Sequence, residues 1–545
     1  MVDHGFEFDC IVIGSGFGGS VMARRLAQRK CRVLILERGK AYPPGGFPRT
    51  PLGNSTNLWD PSEDLYGLFD LWSFKQFHAI VSSGLGGGSL IYANVMMRKP
   101  DHWFDEAWPI GPAELAPHYR AVEHMLGVTA YPYVAGTPKT AAMQQAAAQA
   151  DLRWAPAPLA VSFSRAGEPL GLPIGAWQES RHRAPRTTCI QCGQCDAGCN
   201  SGSKNSMDHT YLNSPAVRRH ARVELLHEVR DIRPVNGGYQ VSGFVHRPPD
   251  PEWDRRRPPP PRKEFDFRAR CVVLAAGSLG STFLLLRNRA NLPLLSKQLG
   301  TRFSGNGDYL GLLRTGPERV LEPSRGPVIT GYFSHGLDPG DRTDGKRGHL
   351  VQDGGYPVLG DWLYELIRPN TIKRLAKLGV AQLRAQWSDT PRTRVSALVA
   401  DAIGDSTHSR GLVPLLGMGQ DVADGTMTLR NGELAVTWDE ASTRATFEAI
   451  QATMSKVAEG LDAKFLKVRS TGLSRRITVH PLGGVPMATS PAEGVVGPDG
   501  EVFGYPGLFV ADGSVMPGPV GVNPALTIAA LAHRFASRVN ERWMA

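Results

Sequence analysis

The sequence predicts a mixed α/β fold organised around a parallel sheet, and three stretches predict it. The first is a strand–glycine turn–helix–strand unit over residues 8–37. The second, CVVLAAGSLGSTFLLLRNRA at 271–290, is a strand, a Gly/Ser turn and a helix. The third, YPGLFVADGSVMPGPVGVNPALTIAALAHRFASRV at 505–539, is a strand that leads into a final helix. Apolar strands alternating with helices across short turns are the pattern of βαβ units, whose sheets are parallel. With 545 residues the chain is too long for one compact core, so more than one domain is expected.

In the first unit the apolar run FDCIVI is followed by GSGFGG, the helical pattern SVMARRLAQR and a second strand, CRVLILE. Gly14, Gly16 and Gly19 stand at G-x-G-x-x-G spacing. The first makes the tight turn, the second admits a pyrophosphate to the backbone, and the third lets helix and strand pack closely. The helix N-terminus favours the anion. Glu37 closes the second strand 23 residues after Gly14, where a carboxylate accepts ribose hydroxyls and opposes a 2′-phosphate. NADP is thereby disfavoured; NAD and FAD remain.

Three later stretches decide for FAD. GLGGGSLIYANVMMR at 84–98 carries Gly86, Gly87 and Gly88, where backbone can lie against a flat ring or a phosphate, and Asn94 follows in the same run. The 271–290 unit supplies another strand and turn. GLFVADGS ends in Asp512 and Gly513: the acid can bond a ribityl chain while the glycine admits the ring. The last helix is expected to open at Pro524, a position where proline is tolerated, with its N-terminus toward the flavin pyrimidine.

Bulk composition narrows the function classes. The chain has 41% hydrophobic and 21% charged residues, with 61 Gly and 42 Pro, as expected of a loop-rich globular protein. It lacks an apolar run long enough to span a bilayer, and its start has no basic n-region or cleavage site, so a cytoplasmic protein is expected. Net charge is +10, but the only dense basic piece is DRRRPPPPRKE at 254–264, between two strand-like segments. No nucleic-acid reading module accompanies it, and a nucleic-acid partner is not expected.

Taken together, the N-terminal fingerprint, GLGGGSLIYANV, AAGSLGS, VHPLGG and DGSVMP…GVNPALTIAALA resemble the glucose–methanol–choline flavin oxidoreductases in motif order and spacing, over nearly the whole chain. Within that family the likeness is greatest to the cholesterol-oxidase branch. The resemblance implies a discontinuous FAD domain (1–100, 200–310 and 470–545), a connecting segment at 101–199, and a substrate domain on an antiparallel sheet at 311–469. It also implies a catalytic pair: His480 of VHPLGG and Asn523 of VGVNPA. Alcohol oxidation at a flavin needs a proton acceptor beside the hydride path, and a histidine titrates in the right range. Asn523, where many relatives carry a second histidine, would orient the substrate oxygen. The implied reaction is oxidation of a secondary alcohol on a bulky apolar molecule, a sterol or steroid 3-hydroxyl, with oxygen or another electron acceptor.

Three features stay open at this level. Cys189, Cys192, Cys195 and Cys199 follow the C-x₂-C-x₂-C-x₃-C run of bacterial ferredoxins, without the usual following proline. They are read as an iron–sulfur site, a zinc site, or thiols packing a loop. Asp353 is the candidate carboxylate for moving a sterol double bond, against its reading as a turn residue. Residues 361–387, with leucines against a basic face, are either an ordinary surface helix or a lid making peripheral membrane contact.

Overall fold

The computed structural model describes residues 6–49, 57–248, 263–316, 319, 321–338, 348–355, 412–467 and 476–543. The helix expected over 361–387 and most of the basic stretch at 254–264 lie outside the described residues.

The parallel sheet forms where the sequence places its apolar runs. Phe8–Ile13 is central, because nearly every side chain in it is buried. On one side it pairs in parallel with Val33–Leu36, which pairs in turn with Ala221–Glu224. On the other side lies the long strand Lys263–Leu274, whose second half runs parallel to Phe8–Ile13 and to Leu508–Val510. The first half of that strand pairs antiparallel with Gly238–Val245, which is hairpinned to His227–Val235. This is a seven-stranded sheet assembled from both ends and the middle of the chain.

Its parallel strands finish at one edge. Backbone bonds tie Gly14 N–H to the Leu36 carbonyl, Ala275 N–H to Ile13 and Ala511 N–H to Leu274, each at 2.8 Å. Gly14, Glu37, Ala275 and Asp512 therefore stand together at the carboxyl ends of the strands, where ligands of such sheets bind. The helix Phe17–Gln28 starts at the same edge, and the C-terminal helix Ala525–Trp543 packs against it.

A six-stranded antiparallel sheet forms the second layer system, in the order Lys464–Lys467, Tyr309–Arg314, Leu412–Gly419, His349–Asp353, Gly331–His335 and Arg153–Pro156. Its last strand comes from the segment that also carries the cysteines. The helix Glu440–Glu459, capped by the Asp439 side chain on Ala441 N–H, lays Ile450, Met454 and Val457 on this sheet among Leu313, Val351 and Leu415. Between the two systems a small sheet pairs Arg476–Thr478 with Phe77–Ser82 and Phe69–Ser73. It delivers residue 480 to the junction. Among the described residues no helix is long and apolar enough to cross a membrane.

Candidate active site

A cavity of about 460 Å³ runs from the carboxyl edge of the parallel sheet to the face of the antiparallel one. Gly14, Gly16, Glu37, Gly87, Gly88, Asp512, Gly513, His480, Asn523 and Pro524 all line it. Gly19, Gly86 and Asn94 stand behind this lining.

The three fingerprint glycines divide their work. Gly14 has φ +97°, and a Cβ there would lie 2.3 Å from the Ala275 carbonyl oxygen. Gly19 faces the Gly14 carbonyl, 2.1 Å from where its Cβ would be, so it serves helix–strand packing. At Gly16 the nearest atom is 3.9 Å away, leaving the space a phosphate needs. Glu37 is buried, and its carboxylate accepts from the Ser15 backbone N–H (3.1 Å), the Ser15 hydroxyl (2.5 Å) and Gly39 N–H (2.8 Å). Burial pushes its acid up despite those donors.

Asn94 is fully buried with φ +68°, and neither oxygen nor nitrogen of its amide has a partner. An orphaned amide behind a glycine-lined cavity, with a ribose-type carboxylate at the far end, fits a bound FAD. Asp512, expected at the ribityl chain, lines the cavity and is also tied to its neighbours. Its two oxygens accept from Gly277 N–H (2.9 Å), Ser281 Oγ (2.5 Å), Ser514 N–H (2.9 Å) and Ser514 Oγ (2.6 Å). Four donors fill the acceptor positions of a carboxylate. Asp512 thus ties two loops that border the cavity. The final helix begins at Ala525, one residue after the expected proline.

At the other end His480 Nδ1 lies 2.7 Å from Asp308 Oδ1. The second Asp308 oxygen accepts from Thr478 Oγ1 (2.9 Å), Val479 N–H (2.8 Å) and His480 N–H (3.2 Å). A carboxylate so held accepts a hydrogen bond from a protonated Nδ1 and leaves Nε2 as an acceptor. Asn523 is paired with Gln352 of the antiparallel sheet, whose amide donates to Asn523 Oδ1 at 2.7 Å. Asn306 positions the same loop: its amide donates to the Val522 carbonyl and its oxygen accepts from Gly521 N–H.

Sequence reasoning missed Asp308, Gln352 and Asn306. The turn GNGD before a strand is visible at 305–308, but nothing in it points to a histidine 172 residues later. It also missed Asp196, inside the cysteine run. This carboxyl lines the cavity, its Oδ1 is buried without a partner, and burial pushes its acid up to about 7 against the opposing effects of Lys204 and Arg49. Asp353 instead is buried away from the cavity lining, accepting from Thr330 N–H, Thr330 Oγ1 and Gly331 N–H, with the Lys139 ammonium 3.3 Å off. The structure places it in the sheet as an internal ion pair.

The cysteine loop is held by protein contacts. Arg49 donates to the carbonyls of Ala197 and Gly198, and Lys204 donates to those of Leu90, Tyr92 and Cys195. Cys189 is buried and Cys192 exposed. Among the described residues, the one set of three histidine, cysteine or acidic side chains with donor atoms within 4.8 Å of one another is His182, Asp208 and His209. Among the described residues the four cysteines do not make up such a set.

A dinucleotide cradle that opens directly onto an acid-oriented histidine and a buried amide defines a flavin-dependent oxidoreductase acting on alcohols. Residues 8–290 and 421–532 match the two GMC oxidoreductase family models, N-terminal and C-terminal, and the chain belongs to that family. It is 30% identical to a cholesterol oxidase of Mycobacterium tuberculosis, covering 97% of this chain and 91% of that protein. To a cholesterol oxidase of Acinetobacter baumannii it is 26% identical, over 99% and 95%. Paromamine 6'-oxidase of Streptomyces fradiae is 27% identical over 98% and 91%. Among solved structures, pyridoxine 4-oxidase from Mesorbium loti shares the fold with a TM-score of 0.56 at 15% identity, over 98% of this chain and all of that one.

Proposed function

We propose that this enzyme oxidises the secondary hydroxyl of a bulky apolar alcohol, a sterol or steroid 3-hydroxyl, to the ketone. One observation carries the reading: the cavity that holds His480 and Asn523 is walled by Leu310, Leu312, Pro414 and Leu416 of the antiparallel sheet. A wall of that kind favours a large hydrocarbon frame, because each buried methylene contributes about 0.8 kcal/mol to binding. The names of the two mycobacterial and Acinetobacter relatives support it.

A bound FAD would supply the two-electron acceptor for hydride from the carbinol carbon. Gly16, Gly87 and Gly88 would hold it with their backbone, and Glu37 at its ribose. The protein's own part is proton handling and orientation. His480 Nε2 receives the hydroxyl proton while Asp308 keeps the opposite nitrogen protonated. The Asn523 amide exchanges bonds with Gln352 through its oxygen and one N–H, and keeps its second N–H for the substrate oxygen. An anaerobic screen tests the substrate class: flavin bleaching by a 3-hydroxysterol at least tenfold faster than by short, long-chain or amino-sugar alcohols is expected. The reverse order would remove the sterol reading.

The unpartnered Asp196 oxygen favours a second step on the same substrate. As a carboxylate it would take a proton from C4 of a 5-ene-3-ketone and return it at C6, shifting the double bond with no redox change. Asp196→Asn should leave flavin reduction intact and slow this isomerisation by about 10²-fold or more. Equal isomerisation in both proteins would exclude it.

For the electron acceptor, oxygen and an external acceptor remain the two fates, and an iron–sulfur cluster on the cysteine loop would serve only the second. Cys192→Ser should then lose iron and turnover with a one-electron acceptor while still bleaching with alcohol. Iron-free wild type with full peroxide yield would end that proposal.

A further inference from the structure

Behind the glycine loop stands a group of side chains that flavin chemistry does not use. His182 Nε2 lies 2.6 Å from Asp208 Oδ2, and His209 Nδ1 lies 4.0 Å from that same oxygen. The two imidazoles meet edge to face, with ring centres 5.4 Å apart. All three side chains are at most 5% exposed. The Asp208 carboxylate spends its other oxygen on the Ser206 hydroxyl at 2.5 Å. The odd member is His209: its Nδ1 is buried and has no hydrogen-bond partner.

Buried polar atoms without partners are rare, and one aimed at a carboxylate–imidazole pair points to a missing ligand. We propose that His182, Asp208 and His209 are a binding site for a divalent ion of the zinc class, which pins the lead-in to the cysteine loop against the glycine loop. Two imidazoles and a carboxylate are a donor set that zinc accepts. With bonds of about 2.0–2.1 Å, neighbouring ligands of a tetrahedral ion stand about 3.3 Å apart. The 2.6 Å pair would therefore open, and the 4.0 Å pair close, by about 0.7 Å each. These are side-chain shifts that leave the backbone in place. Ion binding would displace the proton that His182 now shares with Asp208.

The location gives the ion a structural task. Met207 N–H donates to Ser89 Oγ, and that hydroxyl donates to the Gly86 carbonyl, so Asp208 is one residue from the turn that shapes the cofactor cradle. His182 comes from the loop before the cysteines. The nearby cations are engaged elsewhere: Arg181 bonds the Leu212 carbonyl, and Arg186 bonds the Gly202 carbonyl and the Asn205 side chain.

The test is metal content of the FAD-loaded enzyme incubated with Zn²⁺ and desalted. Wild type should keep about one zinc per chain, as should Cys192→Ser and Cys195→Ser. His182→Ala and His209→Ala should each fall below a tenth of that while keeping their flavin. Because either variant could misfold, X-ray absorption of zinc-loaded wild type decides independently. A shell of nitrogen and oxygen near 2.0–2.1 Å supports the site, and sulfur near 2.3 Å would move the ion to the cysteines and overturn it. Wild type that retains no zinc, or a His209→Ala protein that retains as much as wild type, also overturns it.

Discussion

In the proposed reaction His480 and Asp308 act as a pair, and the division of labour between them is measurable. Removing the imidazole should cut flavin reduction by about 10²–10⁴-fold, the usual contribution of a positioned acid–base group. Asp308→Asn keeps the size of the side chain but can donate to Nδ1, which favours the wrong tautomer. The loss expected there is about 10–100-fold, with FAD content unchanged. Rapid-mixing reduction with the best alcohol reads both, and an Asp308→Asn enzyme as fast as wild type would reduce the contact to packing. The histidine could be named from its motif. Its partner could not, because hydrogen bonding across 172 residues leaves no trace in local spacing.

The first glycine turn shows how one short element carries separate duties. A Cβ on Gly16 would enter open space on the cofactor side, whereas one on Gly18 would sit 1.5 Å from the Ala511 carbonyl oxygen. Gly16→Ala is therefore expected to fold with its secondary structure intact but to bind FAD at least tenfold more weakly. Gly18→Ala should fail to fold, since backbone on both sides of that contact must move. Circular dichroism with flavin titration separates the two, and a Gly16→Ala protein with undiminished FAD affinity would show that the phosphate lies elsewhere. The G-x-G-x-x-G spacing announces the turn. It does not reveal that the closest contact belongs to Gly18, outside the motif, because that contact is with the C-terminal segment.

Over the whole molecule, pH dependence follows from histidines buried where the C-terminal helix crosses Pro112–Leu126. His118 and His533 share a hydrogen bond, one Nδ1 donating to the other at 2.8 Å. Burial lowers both, His533 to about 4, with Arg25 acting further on each and Arg534 on His118, while Glu114 opposes it. An unfolded histidine titrates near 6.5. Between that value and about 4 the unfolded chain binds more protons than the folded one, so stability is complete above pH 6.5 and is lost as pH falls toward 4. Glu228, held down to about 2 by His246 and Arg230 against burial, opens a second, more acidic window. The melting temperature should fall across both, and His118→Leu/His533→Leu should make the first shallower, with buried His209 supplying the remainder, and leave the second unchanged. An unchanged slope between pH 6.5 and 4 in that double variant would assign the acid response to other groups.

The sequence by itself determined the βαβ frame, the FAD cradle and the motif that brings His480 to the cavity. Each rests on local rules: apolar runs make strands, glycine permits close backbone approach, and strands that end in glycine or acid place those groups at one edge. Only the tertiary structure decided which carboxyl serves which purpose. Asp353, the candidate that the sequence set against a turn reading, is paired with Lys139 inside the sheet. Asp196, hidden among cysteines, lines the cavity with a free oxygen. The physical reason is that a carboxylate's role depends on which donors reach it and how much water it loses. Those donors arrive from segments that meet only when both sheets have closed on one another.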